Sequence, residues 1–324
     1  MKRDARERRR FTVGTAIGRR DFAKRVAGLG LAACSTASVF KAGVHAEPTV
    51  KLSRDIAVAK EGTAFDNTVA AVEVLGGMSN FVKPGTRVLI NPNVSGHLPP
   101  DAAVNTHPHV VGALIKMCRD VGASEVVVGN FNSAKNYKIG KMNEVAEKYG
   151  AELKPLGDKK EFFKRIEVPK GKALDHLFVS EDYLAADVLI NVPVAKHHTL
   201  SRMSLGMKNL MGLVINRWTV FHREGGKHLN QCIADLASAV KSTLIVVDAN
   251  KMIVTKGPVG PGEQIEPKKV MAGTDPVAVD VLAAQLLNYG TEDIPLFRLA
   301  YEHALGEIDL KKMNIIERAA STVS

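Results

Sequence analysis

Cysteine is scarce. Only three occur in 324 residues, Cys34, Cys118 and Cys232, and none stands in a C-x-x-C pair. A thiolate zinc site has no framework here, and no iron–sulfur cluster is expected. Aromatic residues make up 5% of the chain, with a single tryptophan, which argues against a base-stacking surface for nucleic acid. No G-x-x-x-x-G-K-[ST] order occurs, so there is no nucleotide P-loop, and no H-E-x-x-H zinc signature. Acidic residues are the minority, giving a formal charge of +10. That surplus is local: residues 1–46 hold 11 of the 44 basic residues and only 3 of the 34 acidic ones. The remainder is nearly balanced, and nucleic acid is excluded as a partner on this ground too.

The basic start resembles a twin-arginine export signal. Arg19-Arg20 is followed by Phe22 and Lys24, with Gly18 where a Ser or Thr is usual. A mildly apolar stretch, Val26 to Phe40, is too short and too weakly apolar for a stable membrane span. Val44-His45-Ala46 offers small residues for signal peptidase. Residues 1–46 are therefore expected to be a signal peptide read by the twin-arginine translocase, and 47–324 a single exported domain, periplasmic or otherwise extracytoplasmic. Leu31-Ala-Ala-Cys34 also fits a lipobox, so a membrane location follows only if Cys34 is lipidated. In an oxidising compartment Cys118 and Cys232 either pair or stay as two buried thiols in helices.

Beyond the leader, apolar runs alternate with helical patterns. This predicts an α/β fold: a mostly parallel sheet with helices on both faces, in three layers. Buried strands are expected at Arg87–Asn91, Glu125–Gly129, Asp187–Pro193 and Thr243–Asp248. A further strand is expected at Val270–Gly273, with Met252–Thr255 beside it. Helices are expected from Asp66 as cap to Leu75, over His107–Val121, Met142–Tyr149 (closed by Gly150) and His228–Val240, and from Asp275-Pro276 to about Asn288. Residues 152–172 read as two edge strands or a surface excursion. From Pro295 one more helix and a last strand follow.

In open parallel sheets ligands bind beyond the carboxyl ends of the strands. The four core runs end in Asn91-Pro-Asn93, Asn130-Phe-Asn132, Lys196-His197-His198 and Asp248-Ala-Asn250. Asn91, Asn93, Asn130 and Asp248 are thus candidate ligand-binding residues. The densest polar segment runs from Lys196 to His228. A buried Asn209 must have partners, while Lys208 either snorkels outwards or faces a ligand. In one reading some of His197, His198, His222 and His228 hold a divalent metal, with Asp248 or Asp280 completing it; His197 and His198 point to opposite faces of a strand, so at most one of them ligates. The competing reading is a cationic pocket of Lys196, Lys208 and a histidine for carboxylate or phosphate, in which a crowded lysine becomes a base or nucleophile. Asp275 caps its helix. Asp280 lies among Val277, Ala278, Val279, Val281 and Leu282, and is expected to pair with Lys196 or Lys208. The Gly-Pro-rich turn Lys256–Gly262 either covers the site or joins two strands.

Several motifs in order carry a resemblance. They are Asn91-Pro-Asn93, Thr106-His107-Pro108, Val192-Pro-Val-Ala-Lys-His-His-Thr199, Lys208-Asn-Leu-Met-Gly212, His222, Val246-Val-Asp248, Gly257-Pro258 and Asp275-Pro-Val-Ala-Val-Asp280. Together they resemble the "domain of unknown function 362" family over about residues 50–290. The resemblance supplies no settled catalytic residues. It implies that Lys196, Lys208, Asn209 and Asp280 act together, and the ferredoxin-type module of some members lacks its cysteines here. The expected activity is that of an enzyme on a small anionic substrate, with Lys196, His198, Lys208, Asn209 and Asp280 as catalytic set and His198 and His222 as metal ligands if a metal is used. The alternatives are a periplasmic binding or delivery protein for an anion, metal or cofactor, and a lipid-anchored scaffold.

Overall fold

The computed structural model describes residues 53–157 and 160–320. Arg19, Arg20, Phe22, Lys24, Cys34 and the expected cleavage site at Ala46 lie outside the described residues. The chain divides between Glu47 and Pro48, and the second unit is the one described.

Its main sheet has eight strands: β1 (Asp55–Lys60), β2 (Arg87–Pro92), β3 (Glu125–Asn130), β4 (Glu152–Pro155), β5 (Val188–Val192), β6 (Leu244–Ala249), β7 (Lys269–Gly273) and β8 (Asn314–Ala319). Their spatial order is β8-β1-β7-β6-β5-β2-β3-β4. β7 runs antiparallel between β1 and β6, and every other pair is parallel. The central strands are Val/Ile/Leu-rich and buried on both sides, as a covered parallel sheet requires.

Alternate residues feed two cores. Val88, Ile90, Val126, Val128, Ile190 and Val246 face α1 (Ala64–Val74), α2 (Pro108–Asp120) and α3 (Met142–Tyr149). Leu89, Val127, Leu189, Ile245, Val247 and Met271 face α4 (Leu229–Ala239), α5 (Pro276–Ala284) and α6 (Pro295–Glu302). The fold is a three-layer α/β sandwich with helices on both faces.

Local chemistry explains most boundaries. Gly150 ends α3 at φ +76°, a left-handed position that costs glycine nothing. Asp275 starts α5 by accepting from Val277 N and Ala278 N, both at 2.9 Å. For α1 the expected cap is corrected. Thr63 occupies that place, and Asp66 is the third residue of a capping box that returns to Thr63 N. Met252-Ile253 does not lie beside β7 but pairs with Gln264-Ile265, across the Gly-Pro turn. Residues 152–172 divide between the edge strand β4 and a ribbon of Phe163–Glu167 with His176–Ser180. Cys118 and Cys232 are both free thiols, on helices that cover opposite faces of the sheet. Burial pushes the Cys118 thiol up to about 12, so it stays protonated and inert. Among the described residues no helix is long and apolar enough to cross a membrane.

Candidate functional site

The carboxyl ends of β2, β3, β5 and β6 share one edge, because these strands are parallel. Two of them carry asparagine in matching register: Asn91 on β2 stands opposite Asn191 on β5. Both side chains continue the face of Leu89 and Leu189, onto which the segment Leu205–Leu213 packs. An amide inside a sheet core must be satisfied, and here five asparagines satisfy one another. Asn91 Nδ2 donates to Asn191 Oδ1 at 3.0 Å, and Asn130 Nδ2 donates to Asn91 Oδ1 at 2.7 Å. Asn209 Nδ2 donates to Asn91 O (3.0 Å) and Asn191 Oδ1 (2.9 Å), while its Oδ1 accepts from Asn93 Nδ2 (2.9 Å).

This network fixes a short helical turn, Gly206–Asn209, over the strand ends. Asn191 Nδ2 donates to Gly206 O at 2.8 Å. Asp280, fully buried on α5, accepts from Gly206 N at 2.7 Å and Met207 N at 3.0 Å. Asp280 therefore does not pair with Lys196 or Lys208, which corrects the expected ion pair. Two backbone N–H groups at the start of the turn serve a carboxylate better than a distant ammonium. Gly206 is needed for this approach, since a Cβ there would lie 2.8 Å from Asp280 Oδ1.

Burial raises the Asp280 pKa to about 7, against the opposing pull of its two N–H donors. The folded carboxyl thus holds its proton more tightly than the unfolded one. The stability it contributes is complete below the unfolded value of 3.8 and is lost as pH rises through about 7. Asp280→Asn is expected to remove this dependence, changing the slope by up to about 1.4 kcal/mol per pH unit across that window. Urea unfolding at successive pH values measures it; parallel profiles for both proteins would refute the assignment.

Above the network lies a cleft of about 240 Å³. It is lined by Asn93, Ser95, Asn130, Lys196, His198 and Lys208 on one side, and by Arg217, Trp218, His222, Pro258 and Val259 on the other. No acidic side chain is among the lining residues. Lys196 and His198 share one face of the ribbon Lys196–His198 with Arg202–Ser204, so this segment is a separate hairpin and not the end of β5. His197 takes the other face, where its Nδ1 accepts from Gly257 N at 3.0 Å. Thr199 Oγ1 donates to Gly257 O at 2.9 Å. These two bonds bring the Gly-Pro turn against the hairpin, with Pro258 and Val259 as cleft wall, so the turn covers the site as well as joining two strands.

Lys196 is fully buried and spends all three ammonium protons on neutral acceptors: Asn93 Oδ1 at 2.9 Å, Ser95 Oγ at 2.6 Å and Val104 O at 2.5 Å. Burial and the neighbouring Lys208 lower its pKa well below the ordinary value. Lys208 differs. Its ammonium has no hydrogen-bond or ion-pair partner among the described residues, and it opens onto the cleft. Burial, then Arg217, brings its pKa down to about 8.

The two histidines are poised differently. His198 Nδ1 accepts from Leu200 N and Ser201 N, both at 3.2 Å, so the neutral ring carries its proton on Nε2. Burial, then Lys208 and Lys196, drive its pKa down to about 3, and it acts only as a neutral donor. His222 Nδ1 faces Arg217 O at 3.4 Å and its ring packs tilted by 36° against Trp218, with centroids 4.5 Å apart. Burial lowers its pKa, with Lys208 and Arg217 adding to the effect and the Arg217 carbonyl opposing it.

This donor set does not fit a divalent metal. The Nε2–H of His198 has no lone pair to offer, the lining supplies no carboxylate, and two lysines and an arginine would repel the ion. Among the described residues no group of three or more His, Cys, Asp or Glu converges as a metal site. The expectation of His198 and His222 as metal ligands is corrected accordingly.

Of the expected set, Asn93, Asn130, Lys196, His198, Lys208, Asn209 and His222 line the cleft. Asn91 and Asp280 lie beneath it as supports. Asp248 lies outside the lining, accepting from His107 N at 2.7 Å and Asn250 Nδ2 at 2.7 Å to hold two loops. The sequence reading missed Ser95, Asn191, Trp218 and Arg217 as site residues. Asn191 had a signal, because Val88-Leu-Ile-Asn91 and Val188-Leu-Ile-Asn191 are the same tetrapeptide. Trp218 had one too, as the lone tryptophan in a basic segment.

A three-layer α/β sheet with a carboxylate-free cationic cleft at its strand ends defines the class of protein. The family described as "Domain of unknown function (DUF362)" matches residues 88–285, and the chain belongs to it. A thylakoid-associated protein of Synechocystis sp. is 30% identical over 262 residues, covering 76% of each chain. The lactate racemase apoprotein of Thermoanaerobacterium thermosaccharolyticum superposes with a TM-score of 0.44 at 12% identity. That match covers 73% of this chain but only 57% of the racemase, and is a likeness of overall fold.

Proposed function

We propose that this protein is an enzyme that binds a small organic anion in the cleft and acts on it with Lys208 and His222. The observation that carries this reading is the unpartnered ammonium of Lys208 in a cleft lined by no acidic side chain. Lys196, fully buried, adds a second charge without a counter-ion among the described residues. A buried cation is costly unless paired, so an entering carboxylate or phosphate gains most of the interaction that the empty cleft forgoes. His198 would donate Nε2–H to the ligand, and His222, its pKa lowered chiefly by burial, is the ring that would exchange a proton with it.

Thermal unfolding of the full chain against a panel of carboxylates, phosphates and divalent metals tests this. At least one anion is expected to raise the melting temperature saturably, as ligand linkage requires. Stabilisation by metals alone would overturn the anion reading.

We further propose export by the twin-arginine route, which Arg19-Arg20, Phe22, Lys24 and Ala46 support. Residues 1–46 fused to a reporter are expected to carry it out of the cytoplasm, and replacing Arg19 and Arg20 by lysine should retain it inside. Export of the lysine pair would refute the route. Membrane retention of the reporter that is lost on Cys34→Ser would assign lipidation instead of cleavage at Ala46.

A further inference from the structure

Lys196 and Lys208 share one cleft, yet only one of them is free to react. All three protons of Lys196 are bound to fixed acceptors, two of which are anchored by their own bonds. It is a stationary charge. Lys208 has no such bonds, and it sits on a turn held from beneath by Asp280, Asn191 and Asn209. It is also the hub of the cleft electrostatically: its charge acts on Lys196, His198 and His222, and Arg217 acts on it. An amine that is rigidly mounted, crowded by cations and unengaged is arranged as a nucleophile. The remaining lining sets what it would attack. Cations suit a carboxylate beside the reacting carbon. Trp218 and Val259, which also line the cleft and are 65% and 47% exposed, suit an apolar substituent.

Resting on the anion reading above, we propose that Lys208 forms a Schiff base with the ketone of a small 2-oxo acid bearing an apolar side chain. The lone pair of neutral Lys208 Nζ attacks the carbonyl carbon, and the C=O π pair becomes a hydroxyl on taking up a proton. The carbinolamine nitrogen gives up one proton and the hydroxyl takes up one, leaving as water while nitrogen donates its pair to form C=N, so amine, ketone and one proton give iminium and one water with no oxidant. His198 Nε2–H supports the developing hydroxyl, and His222 exchanges the proton. Because the Lys208 pKa is lowered to about 8, a useful fraction of the amine is neutral near physiological pH.

The test is reductive trapping of the full chain with α-ketoisocaproate and borohydride, read by intact mass and peptide mapping. In parallel, Trp218 fluorescence is titrated with α-ketoisocaproate and with isocaproate, which has the carboxylate but no ketone. The expected result is one stoichiometric adduct, mapped to Lys208 in the unaltered protein and absent from Lys208→Met. Saturable fluorescence changes with both acids but no adduct would leave the anion site standing and overturn the Schiff base. Adducts spread over surface lysines, equal in Lys208→Met, would overturn it as well. No fluorescence response to either acid and no adduct would overturn the Schiff base with 2-oxo acids, and silence of the whole carboxylate and phosphate panel would overturn the anion reading as well.

Discussion

Replacing Lys208 by methionine is expected to make the empty protein more stable and nearly abolish anion binding. Both effects come from one cause. Lys208 is half-buried at the cleft and its ammonium has no partner among the described residues, so burial leaves its charge poorly solvated. Its pKa falls from 10.5 to about 8, which means that the folded state binds this proton less tightly than the unfolded state. The sign follows: the penalty is full below pH 8 and disappears as pH rises through 10.5, so this group makes stability increase across that window. Methionine has a similar stem and no charge. It should gain about 1–3 kcal/mol at neutral pH, with a higher urea midpoint and no rise in stability between pH 8 and 10. The same change removes the charge that meets the ligand, costing about 2–5 kcal/mol of binding, or roughly 30-fold to several thousand-fold in Kd. A variant that loses stability, or binds anions as before, contradicts this account of Lys208.

Asn209→Ala is expected to produce the largest loss of stability. The Asn209 side chain makes three bonds: to the buried Asn91 O and Asn191 Oδ1, and to the half-buried Asn93 Nδ2. Alanine leaves a void and weakens every one of those groups. Asn93 Nδ2 loses its bond to Asn209 Oδ1, and Asn93 is in turn one of the three acceptors of Lys196. At about 1–3 kcal/mol for each buried polar group left unsatisfied, the sum is about 3–5 kcal/mol after partial relaxation, visible as a shifted urea midpoint with an unchanged slope. Asn209→Asp should be no better, because its second oxygen would face Asn91 O and Asn191 Oδ1. A loss below about 1 kcal/mol would mean that the network does not hold the turn.

The parts of this protein that follow local rules were legible. The Val/Ile/Leu runs of β2, β3, β5 and β6 announced a covered parallel sheet, and their polar ends announced the edge where the cleft lies. Gly150 and Asp275-Pro276 announced helix boundaries. What was not legible depended on distant partners. β1 reads Asp-Ile-Ala-Val-Ala-Lys, alanine-rich between two charged ends and so easy to pass over, and it is a strand because β7 and β8 flank it. Lys196-His197-His198 follows β5 so closely that it looked like its end, although Pro193 lies between and the three residues pair with Arg202–Ser204 instead. Asp280 was recognised as a buried carboxylate in need of a partner, but side-chain logic favoured a lysine. Backbone N–H groups carry no signature in sequence, and two of them took the carboxylate. His198 looked like a ligand for the same reason, since the amides of Leu200 and Ser201 that occupy its Nδ1 are invisible until the hairpin is built.

The most direct test of the central claim uses the chain's single tryptophan, because Trp218 lines the cleft and reports from nowhere else. The fluorescence of the full chain is titrated with a small carboxylate and with inorganic phosphate, in a chelating buffer, for the natural protein and for Lys208→Met. A carboxylate-free cationic cleft predicts a saturable change with at least one anion, weakened at least 30-fold by Lys208→Met and by added salt. Equal responses from both proteins, or a response that appears only when a divalent metal is restored, would contradict it.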